Sequence, residues 1–174
     1  MLYNRFMGNR RFDKHKHGLL IEAEQIFVFA VILFVVFRFV IGFSFVSGKS
    51  MYPTFDEGDL VAYTRLGDTY QVGDVVSVKM PSGVYYIKRV VATGGDTIDI
   101  HDGSLYINGQ KEQGNYINGI TETQDEGIME YPYTLKEGEY FVCGDNREVS
   151  LDSRTFGAVG SHQIKGKIWS FFYQ

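Results

Sequence analysis

Three groups of residues in this chain have the types and spacing to do chemistry. Ser50 lies in the stretch Ser47-Gly48-Lys49-Ser50-Met51-Tyr52-Pro53-Thr54. Pro53 fixes its own φ and biases Tyr52 away from the helical region, while Gly48 permits a backbone approach that a Cβ would obstruct. A hydroxyl on backbone so constrained becomes a nucleophile when a base stands beside it. The alternative is a turn serine satisfied by local backbone bonds.

Lys88 supplies a candidate base. It lies in Tyr85-Tyr86-Ile87-Lys88-Arg89-Val90-Val91, a strand-like run in which Tyr86, Lys88 and Val90 share one face and Ile87, Arg89 and Val91 the other. Whichever face is buried takes a cation inside with it. An inward Lys88 would be pushed towards its neutral form; on an edge strand it would be a solvated guard against aggregation. The third group is Gly144-Asp145-Asn146-Arg147-Glu148-Val149-Ser150-Leu151-Asp152-Ser153-Arg154, directly after an apolar run. Its carboxylates and guanidiniums suit a shell that orients other side chains, with Asp152 pairing Arg154 and Asp145 pairing Arg147. Read as a calcium loop, it lacks the required glycine and terminal glutamate spacing, so no metal is expected.

A serine needs a base within reach, and a solvated lysine with a pKa near 10.4 is neutral only about once in 2,500 at pH 7. Burial that lowers it to roughly 7–8 makes the free amine a substantial fraction. Lysine therefore suits a dry cleft with no aspartate partner, unlike the serine–histidine–aspartate arrangement. The histidines fit that arrangement poorly: His15 and His17 fall on the far side of the apolar run from Ser50, and His101 and His162 sit in turn or strand contexts.

The elements that must hold these groups are an apolar run and a β-rich remainder. The chain has 174 residues and a net charge of −4. Its first 18 residues carry Arg5, Arg10, Arg11, Lys14 and Lys16 against Asp13 alone. From Ser47 onward there are 11 Lys/Arg against 18 Asp/Glu, too acidic a balance for a nucleic-acid binder. Cys143 is the only cysteine, so no intramolecular disulfide forms. Gln25 to Val46 is apolar except for Arg38 and Ser44, and at ~1.5 Å per residue it extends about 33 Å, enough to cross a bilayer. It is longer than the ~7–15 residue core of a cleavable signal peptide and closes on no Ala-x-Ala-like site. It is expected to be a retained anchor over residues 19–46, with the basic residues 1–18 in the cytoplasm and everything after Val46 outside. Arg38 strains this reading unless it snorkels to the outer headgroups or the span ends near Phe37.

After Ser50 the pattern is one of short strands and turns. Strands are expected at 59–63, 74–80, 84–93, 97–100, 105–107, 140–143 and 167–172, with a tight hairpin turn at Asp102-Gly103. Residues 109–137 are polar and glycine-bearing, and read as a loop-rich insertion. The expected architecture is an all-β domain over 47–174, a folded, barrel-like antiparallel sheet with a smaller β insertion, preceded by one transmembrane helix.

In order and spacing, Ser-Gly-Lys-Ser-Met-Tyr-Pro-Thr, Tyr-Ile-Lys-Arg-Val-Val and Gly-Asp-Asn-Arg-x-x-Ser-x-Asp-Ser-Arg resemble the conserved boxes of bacterial type I signal peptidases, in their compact single-anchor form. The resemblance implies that Ser50 is the nucleophile and Lys88 the general base. It implies that Ser150 hydrogen-bonds Lys88, that Asp152 and Arg154 brace that shell, and that Met51, Pro53 and Tyr86 border the cleft. Some members carry a hydroxyl as oxyanion donor where this chain has Gly48, so the hole would rest on backbone N–H groups, notably that of Ser50. It further implies preprotein signal peptides as substrates, cleaved after a small-x-small motif without a cofactor, a lipid bilayer as partner, and a secretion translocon nearby. The alternative is an inactive or narrowly dedicated paralogue that binds signal peptides or a secretion partner.

Overall fold

The computed structural model describes residues 21–67 and 69–169. The basic tail 1–18 and the end of the last expected strand, 170–172, lie outside them. The chain divides between Val40 and Ile41 into two units.

In the first unit, Ile21–Val40 is one helix (α1), long and apolar enough to cross a membrane. Its last turn, Val36–Val40, is π-helical and carries Arg38, whose guanidinium lies 5.4 Å from the Phe39 ring. Ile26, Phe27 and Phe34 are each about two-thirds exposed, apolar surface that water would not tolerate along a whole helix.

The helix ends at Val40, not at Val46 as hydropathy alone suggests. Ile41–Phe45 is a strand (β1), paired antiparallel with Leu60–Thr64 (β2), Ile41 facing Thr64 and Phe45 facing Leu60. An apolar run fits either a membrane helix or a sheet edge, and the partner strand decided the outcome.

The second unit is built on a seven-stranded antiparallel sheet that curls into a half-barrel. Its further strands are Val75–Lys79 (β3), Tyr85–Thr93 (β4), Glu139–Cys143 (β9), Val159–Gly160 (β10) and Ile164–Trp169 (β11), in the order β1-β2-β11-β3-β4-β9-β10. The last strand starts at Ile164, earlier than the apolar run at Lys167 implied. Its alternate residues Ile164, Gly166 and Ile168 turn inward, so it reads as a half-buried strand only once Gly166 is counted on the buried face. β4 lies between β3 and β9, which removes the edge-strand reading of Lys88.

A second sheet, β7-β6-β5-β8, comprises Thr97–His101 (β5), Ser104–Ile107 (β6), Gln110–Lys111 (β7) and Tyr133–Thr134 (β8). Asp102 and Gly103 both take positive φ, 49° and 66°, in the two-residue turn between β5 and β6. The 109–137 insertion is therefore pinned to sheet at both ends, through two-residue strands too short to leave a periodic signal. Its middle runs back to the loop that follows β9, where Asn118 bridges Asn146.

Three apolar clusters hold these layers. Val76, Val78, Val90, Val142 and Ile164 fill the curl of the large sheet. Val91, Ile98, Leu105, Leu135 and Phe141 join the two sheets. Val46, Met51, Phe55, Val61, Val75 and Ile168 pack beneath the Ser50 turn. That last cluster matters most for chemistry, because Met51 is only 1% exposed and fastens the turn to the sheet.

Candidate active site

Ser50 and Lys88 meet, although 38 residues separate them in sequence: Lys88 Nζ lies 2.7 Å from Ser50 Oγ. Lys88 is 2% exposed, in the middle of β4 opposite Val76 of β3. Burial lowers its pKa from 10.5 to about 8, against the pull of carboxylates led by Asp152. The Tyr86 ring stands 5.5 Å from the amine and stacks on Phe156. Ser50 is half-buried at the mouth of a cleft of about 100 Å³. Phe45, Val46, Met51, Tyr63, Tyr86 and Ile168 are among its walls, with the hydroxyl of Ser77.

Gly48 takes φ +80°, a conformation that an L side chain rarely adopts, and so lets the chain turn sharply from β1 into the Ser50 turn. Among the described residues, the Ser50 N–H donates to no protein group. Pro53 is exposed and does not line the cleft, whereas Met51 and Tyr86 do. Pro53 lies beside the cleft, in the turn that the bond from Phe55 N–H to Met51 C=O at 2.9 Å closes.

The loop from Gly144 to Arg154 is a web of buried charges. Asp152 and Arg154 form a bidentate pair, Nε to Oδ1 and Nη2 to Oδ2 both at 2.9 Å, with Asp152 fully buried and Arg154 1% exposed. Asp152 also accepts the N–H of Gly144 at 3.0 Å and caps the four-residue helix Ser153–Phe156 (α2). Arg154 Nη2 donates to Arg147 C=O at 2.6 Å. The expected pairing of Asp145 with Arg147 does not form. Asp145 takes Arg89 at 2.7 Å instead, and Arg147 takes Glu112 of the insertion at 2.6 and 2.9 Å. Thr54 Oγ1 donates to the same Asp145 carboxylate.

Ser150 departs from expectation as well. Among the described residues its buried Oγ has no hydrogen-bond partner, and the bond to Lys88 is absent. Ser150 packs over Gly144, where a Cβ would fall 2.2 Å from its Oγ. The loop thus brings the Ser150 side chain onto Gly144 rather than onto the amine.

Sequence reasoning missed several residues at the site. Ser77 and Tyr63 carried no motif. Glu112 lay in a segment without periodicity. Asn146, inside a motif, gave no sign that it reaches the Ser50 turn, which it does with two bonds: its N–H to Ser50 C=O at 3.0 Å and its Nδ2 to Lys49 C=O at 3.2 Å.

Comparison with known proteins gives these residues a setting. The family model described as signal peptidase, peptidase S26, matches residues 20–173. Signal peptidase IB of Staphylococcus aureus (strain N315) is 35% identical over 176 residues, spanning 90% of this chain and 92% of that protein. Signal peptidase I of Bacillus licheniformis is 33% identical over 174 residues, 91% of each chain. A crystal structure of a signal peptidase I from Enterococcus faecalis V583 aligns with 30% identity and a TM-score of 0.47, covering 57% of this chain and 96% of that one. The family match and the curated relatives define a serine endopeptidase; here it has an all-β body and an N-terminal apolar helix. The chain belongs to the signal peptidase family, peptidase S26.

Proposed function

We propose that this protein removes signal peptides from exported preproteins, with Ser50 as nucleophile and neutral Lys88 as its general base. The observation that carries the reading is the 2.7 Å contact between Lys88 Nζ and Ser50 Oγ in a buried setting. With a pKa of about 8, about a tenth of the amine is neutral at pH 7, compared with about one part in 2,500 for a solvated lysine.

The neutral amine accepts the Ser50 proton as Oγ attacks the scissile carbonyl. The oxyanion forms opposite the Ser50 N–H. Collapse expels the amine of the mature chain, which takes the proton from Lys88, and leaves an ester on Ser50. Water then attacks the ester, Lys88 takes its proton, and the signal-peptide carboxylate departs as Ser50 regains its hydrogen. The chemistry asks for no metal or cofactor. A cleft of about 100 Å³ suits small side chains, in keeping with a small-x-small cleavage motif.

The helix Ile21–Val40 anchors the enzyme in the lipid bilayer, beside the translocon that delivers its substrates. The basic tail faces the cytoplasm and the β domain lies outside, since clustered Arg and Lys stay on the cytoplasmic side.

The test uses the full chain in detergent with a preprotein bearing Ala-x-Ala. Wild type cleaves at that site, and Ser50→Ala and Lys88→Ala each lose at least about 10³-fold in kcat/KM. Undiminished cleavage by Lys88→Ala overturns the dyad. For topology, single cysteines placed at residues 10 and 110 in intact cells separate the two sides, since Cys143 is buried and silent. Labelling of residue 10 from outside overturns the orientation.

A further inference from the structure

Asn146 grips the start of the Ser50 turn from the 144–154 loop. Its N–H bonds Ser50 C=O at 3.0 Å and its Nδ2 bonds Lys49 C=O at 3.2 Å. The second bond has a consequence fixed by covalent geometry. Lys49 C=O and Ser50 N–H belong to one planar trans peptide, so they point in opposite directions. A donor that holds the carbonyl on one side aims the N–H on the other. That N–H is the one left without a protein partner among the described residues.

Asn146 is itself held from behind. Asn118 N–H bonds Asp145 C=O, and Arg147 N–H bonds Asn118 C=O, both at 2.8 Å. The Arg147 side chain, 0% exposed, is locked to Glu112. At the far end of the turn, Thr54 donates to Asp145, which Arg89 also holds. Consecutive residues Asp145 and Asn146 thus clamp the two ends of the Lys49–Thr54 turn.

We propose that Asn146 is a positioning residue that aims the Ser50 N–H at the developing oxyanion. The inference rests on the peptidase reading above and adds to it a residue that touches neither substrate nor base. Tyr52 N–H also bonds Lys49 C=O at 3.2 Å, so the side chain of Asn146 refines the direction of the peptide plane and does not create it. Removing an oxyanion donor costs roughly 10²–10³ in kcat; misaiming one costs less, roughly 10–100-fold.

The experiment compares wild type, Asn146→Ala and Asn146→Asp as full chains in detergent, with Ser50→Ala and Lys88→Ala as controls. Both Asn146 variants keep the backbone N–H; Asp replaces the donor by an acceptor facing the Lys49 carbonyl. In both, kcat falls roughly 10–100-fold and KM stays within about threefold; in the uncharged Asn146→Ala the acid-limb midpoint of the rate profile stays at its wild-type value. A peptide aldehyde, which adds to Ser50 and places an oxyanion in the hole, loses affinity by the same factor as kcat. The corresponding peptide alcohol, which forms no oxyanion, loses less than about threefold.

Wild-type kcat in Asn146→Asp overturns the proposal. So does equal weakening of aldehyde and alcohol, which marks general damage to the cleft. If Ser50→Ala and Lys88→Ala cleave like wild type, the peptidase mechanism itself fails, an outcome that the two controls report separately.

Discussion

Arg89 and Lys88, adjacent on β4, are both taken into the protein and are treated in opposite ways. Arg89 Nη2 lies 2.7 Å from Asp145 Oδ2, with side-chain exposures of 11% and 0%. Lys88 faces Ser50 and has no carboxylate bonded to it among the described residues. A guanidinium is effectively always charged and must be paired when buried, whereas an ammonium can give up its proton. The strand therefore fixes one cation as structure and leaves the next with a titratable amine.

Asp145→Asn tests the structural half of this division. It leaves Arg89 with a neutral partner and costs about 3–5 kcal/mol, the range for breaking a buried pair from one side. The double variant with Arg89→Met recovers part of that loss. Urea unfolding of the four proteins in the cycle measures it, and strictly additive losses would show that the pair is not coupled.

The catalytic half is tested by pH. Only neutral Lys88 acts as the base, so kcat/KM rises about tenfold per pH unit below the Lys88 pKa and levels off above it. With that pKa at about 8, the midpoint falls near pH 8. A peptide-cleavage profile from pH 6 to 10 locates it. A flat profile, or a midpoint near 10.5, contradicts a desolvated lysine base.

The same burial has a cost in stability, with a definite sign. The folded pKa of about 8 lies below the ordinary 10.5, so between these values the unfolded chain binds more protons and stability rises with pH. Below pH 8 the handicap is complete and constant. Lys88→Met removes it, so the variant is more stable than wild type at pH 7, by up to about 3 kcal/mol at ~1.36 kcal/mol for each tenfold. Loss of the Ser50 contact reduces this gain. Thermal unfolding at pH 7 and pH 10.5 checks the sign: the advantage shrinks towards the higher pH, and an advantage that grows would refute the linkage.

Gly144→Ala tests how tightly the loop sits on the Ser50 turn. A Cβ there would fall 2.2 Å from Ser150 Oγ and 2.5 Å from Ser50 C=O. Ser150→Gly would remove both clashing Ser150 atoms, Oγ at 2.2 Å and Cβ at 2.5 Å, but the Ser50 carbonyl belongs to the turn and must move. Displacement of about 1 Å costs on the order of 10²-fold in rate. Gly144→Ala therefore loses at least that much kcat, and adding Ser150→Gly does not restore it. Recovery in the double variant would mean that the turn is not under pressure.

Much of the β architecture was legible because it is written locally. Alternating apolar residues marked β3, the Pro81-Ser82-Gly83 turn returned the chain as β4, and Asp102-Gly103 marked the hairpin between β5 and β6. A proline beside a glycine-bearing turn singled out Ser50. Lys88 stood out because an apolar strand had to dispose of a cation. The pairing of Asp152 with Arg154 was readable too, since two residues apart they reach each other with little help from the rest of the fold.

What the sequence determined by itself is thus the longer strands β2 to β6, β9 and β11, the existence of the apolar helix and the two residues able to do chemistry. Tertiary structure decided what depends on distant partners. It ended the helix at Val40, because β2 was available to pair with Ile41–Phe45. It sent Asp145 to Arg89 and Arg147 to Glu112, because buried charges take whichever counter-charge the packed sheets present. It brought Asn146 onto Lys49 and Ser50 across 97 and 96 positions of chain (146 − 49 and 146 − 50), a contact no local pattern encodes. Periodicity and turn chemistry act over a few residues; desolvation and ion pairing act through whatever the fold places alongside.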